Sequence, residues 1–200
     1  MKSKKSKKNN KLKYNFLLII IILIIFNYSK GFGEKRYIRY IPTIGVYPDN
    51  KSEINIVKYK YVEKRNKQDI EFFNLTDESV IYAFKDIVNE SIDTLKSIIT
   101  RPHVLIVIFF LKYSINRARP LQVDSTLKIL KSVSADTPSY PSGHTAQAFY
   151  LAKQLSKIYP EKQQQLFDIA EKCGIARIKA GLHYPSDHEY GKNIALNLLI

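Results

Sequence analysis

Residues 102–120 read PHVLIVIFFLKYSINRARP. A proline at each end frames the stretch. Pro102 suits the first turn of a helix, where its missing N–H costs no hydrogen bond. Pro120 pushes the residue before it out of the helical region, so the helix is expected to stop there. Between the prolines the sequence is apolar almost all round, which predicts a central helix with neighbours on every side. Lys112 and Arg119 lie near its C-terminal end. The apolar run over 104–111 is shorter than the roughly 20 residues that span a bilayer, so this helix belongs to a packed body.

The helical period continues on both sides. Upstream, Thr76 or Asp77 can cap a helix carrying Val80, Phe84, Ile87, Val88, Leu95, Ile98 and Ile99. Downstream, a turn-rich loop over 139–143 leads into a third helix with Ala148, Leu151, Leu155 and Ile158 on one face. A fourth starts near Glu161 and carries Leu166, Ile169, Ala170, Cys173 and Ala180. Pro185 or Ser186 begins a fifth, through Ile194 and Leu198. Five helices with short connections predict an all-α bundle over 77–200. Residues 32–76, rich in Tyr, Lys and turn formers, read as an irregular leader with one extended stretch over 54–62. The chain's 200 residues suffice for one sizeable core.

The charge is uneven. The formal net charge is +14, of which eight lysines and no acid in residues 1–30 contribute +8. That basic segment runs into an uninterrupted apolar stretch over 16–26, the layout of a signal peptide or signal-anchor. A retained anchor would leave residues 32–200 on the non-cytoplasmic side; cleavage would release them. Because the lysines directly precede an apolar run, a membrane is the expected partner and nucleic acid is not. Asn-x-Ser/Thr triplets at Asn50, Asn74 and Asn89 would be glycosylation sites in a eukaryotic lumen. A single cysteine, Cys173, excludes a disulfide scaffold.

Extending the apolar stripes by a turn or two brings charge onto buried faces. His144 precedes Ala148 by four, Arg177 follows Cys173 by four, and Asp187 precedes Ile194 by seven. Buried charge needs a partner or a bound ion. His144 follows Pro141-Ser142-Gly143 at a helix start, where free N–H groups and the dipole favour an anion. With Lys112, Arg119 and Arg177 nearby, the positive charge exceeds what Asp187 neutralises, and a substrate phosphate is the natural counter-charge. Four residues before Asp187 stands His183, which that carboxylate can orient for attack. Metal ligation by His183, Asp187 and His188 is the alternative, disfavoured by Pro185 in the spacing and by the surrounding cations. A Cys-phosphatase spacing and a phosphate-binding Gly-Lys-Ser/Thr loop are both missing.

Three motifs carry a resemblance: Lys112-YSINRA-Arg119-Pro120, then Pro141-Ser142-Gly143-His144, then Ala176-Arg177-IKAGL-His183-YPS-Asp187. In order and spacing they resemble the type 2 phosphatidic acid phosphatase / vanadium-dependent haloperoxidase superfamily. The residues flanking the Pro-Ser-Gly-His motif are most similar to its soluble acid phosphatase branch. Ala176 stands where the family has Ser. The resemblance implies a phosphatase that needs no metal or other cofactor and acts on a phosphorylated small molecule or lipid. It implies His183 as nucleophile, Asp187 as its orienting partner and His144 as general acid and base. Lys112, Arg119, Ser142, Gly143 and Arg177 would hold the phosphate. Two other readings remain at this point: a vanadate-dependent haloperoxidase, and a membrane-tethered binding protein with a retired site.

Overall fold

The computed structural model describes residues 47–199, and the signal or anchor segment lies outside them. The elements are α1 (Asn50–Asn55), continuing as π-helical turns over Ile56–Val62, α2 (Lys67–Thr76), α3 (Ile81–Phe84), α4 (Ile92–Ile99), α5 (Pro102–Ile115), α6 (Pro120–Val123), α7 (Gly143–Leu155), α8 (Gln163–Lys179) and α9 (Pro185–Asn193). A second π-helical piece, Ile194–Leu198, extends α9. The described residues contain no strand, as the helical periodicity predicts.

The centre is α7, not α5. Thr145, Ala146, Ala148, Phe149, Tyr150, Leu151, Ala152 and Leu155 are all buried, and α4, α5, α8, α9 and the final π-helical piece pack around the helix. Its alanines let neighbours approach from several sides. α5 buries only the stripe of Val104, Ile108, Leu111 and Lys112. Ile106 is 67% exposed and Phe110 58%, with Phe109 and Tyr113 also outward. An all-round apolar composition therefore did not translate into burial: α5 lies at the outside of the bundle. It also ends early, at Asn116, which takes the left-handed conformation (φ 52°) and returns its N–H to the Lys112 carbonyl. Asn tolerates that region better than most residues. The chain over 116–119 is thus freed from the helix before Pro120.

Three other expectations are corrected. The single helix expected from Thr76 or Asp77 is broken into α3 and α4, because Ser91 caps the latter through Thr94 N–H at 3.0 Å. Thr76 instead closes α2, its hydroxyl donating to the Phe72 carbonyl. Ile158 falls beyond the end of α7 and is exposed. The stretch over 54–62 is helical, with Ile54, Val57 and Val62 packed on Leu127, Ile178 and Tyr184. The spacing 54, 57, 62 suits a helix better than the even spacing of a strand. Residues 47–76 thus cover the bundle on one side.

Candidate active site

Two local structures build the site. Ser142 caps α7, its hydroxyl accepting from Thr145 N–H (3.3 Å) and Thr145 Oγ1 (2.9 Å). The Ser142 N–H donates to the Asp187 carbonyl at 3.0 Å, tying this turn to α9. The approach depends on Gly191: a Cβ there would lie 2.7 Å from the Ser142 carbonyl oxygen. At the start of α9, Pro185 occupies the first turn and the Asp187 carboxylate accepts the Tyr184 N–H at 2.9 Å. That local cap places Asp187 Oδ2 3.0 Å from His183 Nδ1.

Five of the eight residues expected from sequence line one cavity of about 200 Å³: Lys112, Arg119, Gly143, His144 and His183. Asp187 stands behind His183, fully buried. Arg119 Nη1 lies 3.2 Å from His183 Nε2 and also donates to the Leu182 carbonyl at 2.8 Å, while Nε donates to the Thr137 carbonyl at 2.8 Å. Lys112 Nζ donates to the Pro138 carbonyl at 2.6 Å. Two of the eight sit elsewhere. The Ser142 hydroxyl is taken up in the helix cap. Arg177 is one layer back, bound to Asp77 at 2.6 Å and to the hydroxyls of Ser132 and Ser134 at 3.1 Å each.

The hydrogen bonds define the histidine tautomers. A carboxylate only accepts, so His183 carries its proton on Nδ1 toward Asp187 and presents the Nε2 lone pair beside Arg119. His144 Nε2 donates to the Asp77 carbonyl at 2.9 Å. Burial, and after it the Arg119 guanidinium, holds His183 well below the usual imidazole range. Burial and Arg177 take His144 down to about 3. Burial and Arg119 also depress Lys112, while burial and Arg177 bring Arg119 down to about 10. Burial alone would raise Asp187, but His183, Arg117 and Ser139 outweigh it and hold the carboxyl very low. The site by itself thus disfavours every positive charge it contains, and a bound anion would reverse that bias.

Sequence reasoning passed over Asp77, Arg117, Glu53 and Ser139. Asp77 reads as a helix cap but serves as the carboxylate of Arg177. Ser139 donates to Asp187 at 2.5 Å. Arg117, two residues before Arg119, carried a signal only in being charged within a stretch expected to be buried. His188 turns away from the site, with Nδ1 near Thr145 Oγ1 and Nε2 on Glu171. Glu171, His188 and Glu189 are the one cluster of metal-ligand type among the described residues, and it is apart from the cavity.

Comparison with known proteins places these features. A stretch of 56 residues is 41% identical to a non-specific acid phosphatase of Salmonella typhi, covering 28% of this chain and 22% of that protein. A non-specific acid phosphatase of Providencia stuartii is 39% identical over 57 residues, or 28% of this chain and 23% of that one. The match therefore spans less than a quarter of these relatives' length. The crystal structure of Aquifex aeolicus LpxE superposes with a TM-score of 0.54, covering 77% of this chain and 94% of that one at 23% identity, which supports the fold. The model of the PAP2 superfamily matches residues 94–199. That span holds all three motifs and more than half the chain, and on it we conclude that the chain belongs to the PAP2 superfamily.

Proposed function

We propose that the protein hydrolyses phosphate monoesters through a phosphohistidine on His183. The observation that carries this reading is His183 held by Asp187 at Nδ1, with Nε2 turned to Arg119 at the cavity wall. In the first step the Nε2 lone pair attacks phosphorus and the P–O bond to the alcohol breaks. The leaving oxygen takes a proton from His144. The imidazolium so formed keeps its Nδ1 proton and is stabilised by Asp187. In the second step water attacks the phosphorus, gives a proton to His144, and the N–P bond breaks with its electrons returning to Nε2. One water is consumed, and alcohol and phosphate are released. Lys112, Arg119 and the Gly143 N–H at the start of α7 face the phosphoryl oxygens, with Arg177 adding its field from behind Asp77. Bound phosphate opposes the Arg177 and Lys112 charges that depress His144, which lets that imidazole carry the proton for departure.

The alcohol side of the cavity is formed by Leu105, Ile108 and Phe109 of α5. These apolar walls support substrates with an apolar alcohol, lipid phosphates among them. Residues 1–31 would bring the protein to a membrane with the body on the non-cytoplasmic side.

The test is rapid-quench labelling with a radiolabelled aryl phosphate, without added metal. His183→Ala is expected to abolish both turnover and phosphoenzyme. His144→Ala is expected to form the phosphoenzyme from an activated aryl ester but to lose about 10²–10⁴-fold with an alkyl ester, whose leaving group needs the proton. An acid-labile phosphoenzyme in His183→Ala, or equal losses on both esters in His144→Ala, would overturn the assignment.

A further inference from the structure

Asp187 divides its two oxygens between two tasks. Oδ2 takes His183 Nδ1 (3.0 Å), Ser139 Oγ (2.5 Å) and Tyr184 N–H (2.9 Å). Oδ1 takes Arg117 Nη1 at 2.7 Å, and neither side chain of that pair is exposed to solvent. Arg117 is fixed on every edge: Nη2 donates to Glu53 Oε2 (2.7 Å), Nη1 also to Ser186 Oγ (2.7 Å), and Nε to Asn50 Oδ1 (2.8 Å). Its guanidinium carbon lies 4.2 Å from the Tyr47 ring centre and 3.9 Å from that of Tyr184. Glu53 in turn accepts Ser186 N–H (2.9 Å) and Ser186 Oγ (2.5 Å) in the first turn of α9.

We propose that Arg117 and Glu53 are positioning residues that fix the orientation and effective charge of Asp187, and through it set the basicity of His183. This rests on His183 being the nucleophile.

Charge balance gives the two residues this role. Arg117 alone would neutralise Asp187 and leave nothing to balance the imidazolium of the phosphoenzyme. Glu53 supplies a second carboxylate on the far side of Arg117, so the chain Glu53–Arg117–Asp187 keeps one net negative charge for His183. The guanidinium's planar fork holds both carboxylates at fixed angles, which a lysine cannot reproduce. Glu53, Asn50 and Tyr47 all precede residues 94–199, so part of the site's support comes from chain outside the family-matched span. The charged groups facing His183 are Asp187, Arg119 and Lys112. Those facing Asp187 are His183, Arg117, Arg119 and Lys112, with Glu53 beyond and the neutral phenols of Tyr47, Tyr140 and Tyr184 around it.

The two variants should move His183 in opposite directions, which mere loosening of the fold would not do. Glu53→Gln removes negative charge, disfavours the imidazolium, and should shift the acid limb of kcat/KM to lower pH by about half a unit or more. Arg117→Gln removes positive charge and should shift the same limb to higher pH. Arg117→Lys should leave the limb in place while lowering kcat, because charge is kept and geometry is lost. The measurement is the pH profile of the purified full chain on an aryl phosphate, with His183→Ala assayed in parallel. Shifts of opposite sign support the proposal, and unshifted limbs with activity lost in proportion to unfolded protein overturn it. Should Arg117→Gln fail to fold, the Glu53→Gln limb decides alone: a downward shift supports and no shift overturns. A phosphoenzyme in His183→Ala would instead overturn the underlying reading of the nucleophile.

Discussion

His183 is buried and His144 partly so, the site holds both neutral, and this ties the proposed chemistry to the acid stability of the fold. Both have folded-state pKa values below the ordinary 6.5, with His144 at about 3. The unfolded chain therefore binds more protons than the folded one as pH falls below about 6.5, and folding stability declines through that window. The slope should approach about 1.4 kcal/mol per pH unit for each histidine well below 6.5. The depressed carboxyls of Asp187 and Asp77 add a further loss at lower pH, below the usual carboxylate range. Thermal unfolding from pH 7 to pH 4 should show this decline, and His144→Asn should make it shallower by about half. Saturating vanadate, bound in the same cage, should also flatten it. A slope unchanged by His144→Asn would remove the histidine from this account.

At the scale of elements, α5 performs two tasks with one helix. Its buried stripe ends in Lys112, which lines the cavity together with Leu105, Ile108 and Phe109. On the proposed reading, one rigid element would set the distance between the charged and the apolar halves of the substrate. A series of n-alkyl phosphates should show kcat/KM rising by up to about three- to fourfold per methylene until the apolar wall is covered. Phe109→Ser should flatten that rise while costing the shortest ester least. A flat series in the unaltered enzyme would show that the wall does not contact the alcohol. α9 is the complementary element: Gly191 and the Asp187 carbonyl hold it against the Ser142 turn, so Asp187 and the start of α7 cannot move independently.

Across the whole molecule, the described residues contain no single helix long and apolar enough to cross a membrane, although α4 and the stretch Pro102–Val123 together have the length and composition, with a 49° bend between them. The basic and apolar residues 1–31 lie outside the described part, and their task is an expectation from sequence. Full-length protein made in the presence of sealed microsomes should sediment with them and resist protease added outside until detergent is supplied. Digestion of residues 32–200 in intact vesicles would reject the orientation, and failure to sediment after carbonate washing would replace the anchor with a cleaved signal.

The helical class and the family were legible from the residues alone. Apolar spacing of three and four residues marks helices whatever their neighbours, and Pro102, Ser142 and Pro185 act locally at helix starts. The three motifs named His183, His144, Asp187, Lys112, Arg119 and Gly143, and the chain folds all of these to one cavity and its backing. Relations between distant segments emerged only in the folded molecule. Whether α5 or α7 is central depends on which faces find partners, and composition does not contain that. Ser142 and Arg177 were legible as residues, but Asp77, the carboxylate that Arg177 binds from 100 positions away, was not. Glu53 was not legible at all, and Arg117 only as a charge in a stretch expected to be buried, because an ion pair between residues 64 positions apart leaves no periodic mark in either segment. Their burial on Asp187 follows from how residues 47–62 pack across the bundle.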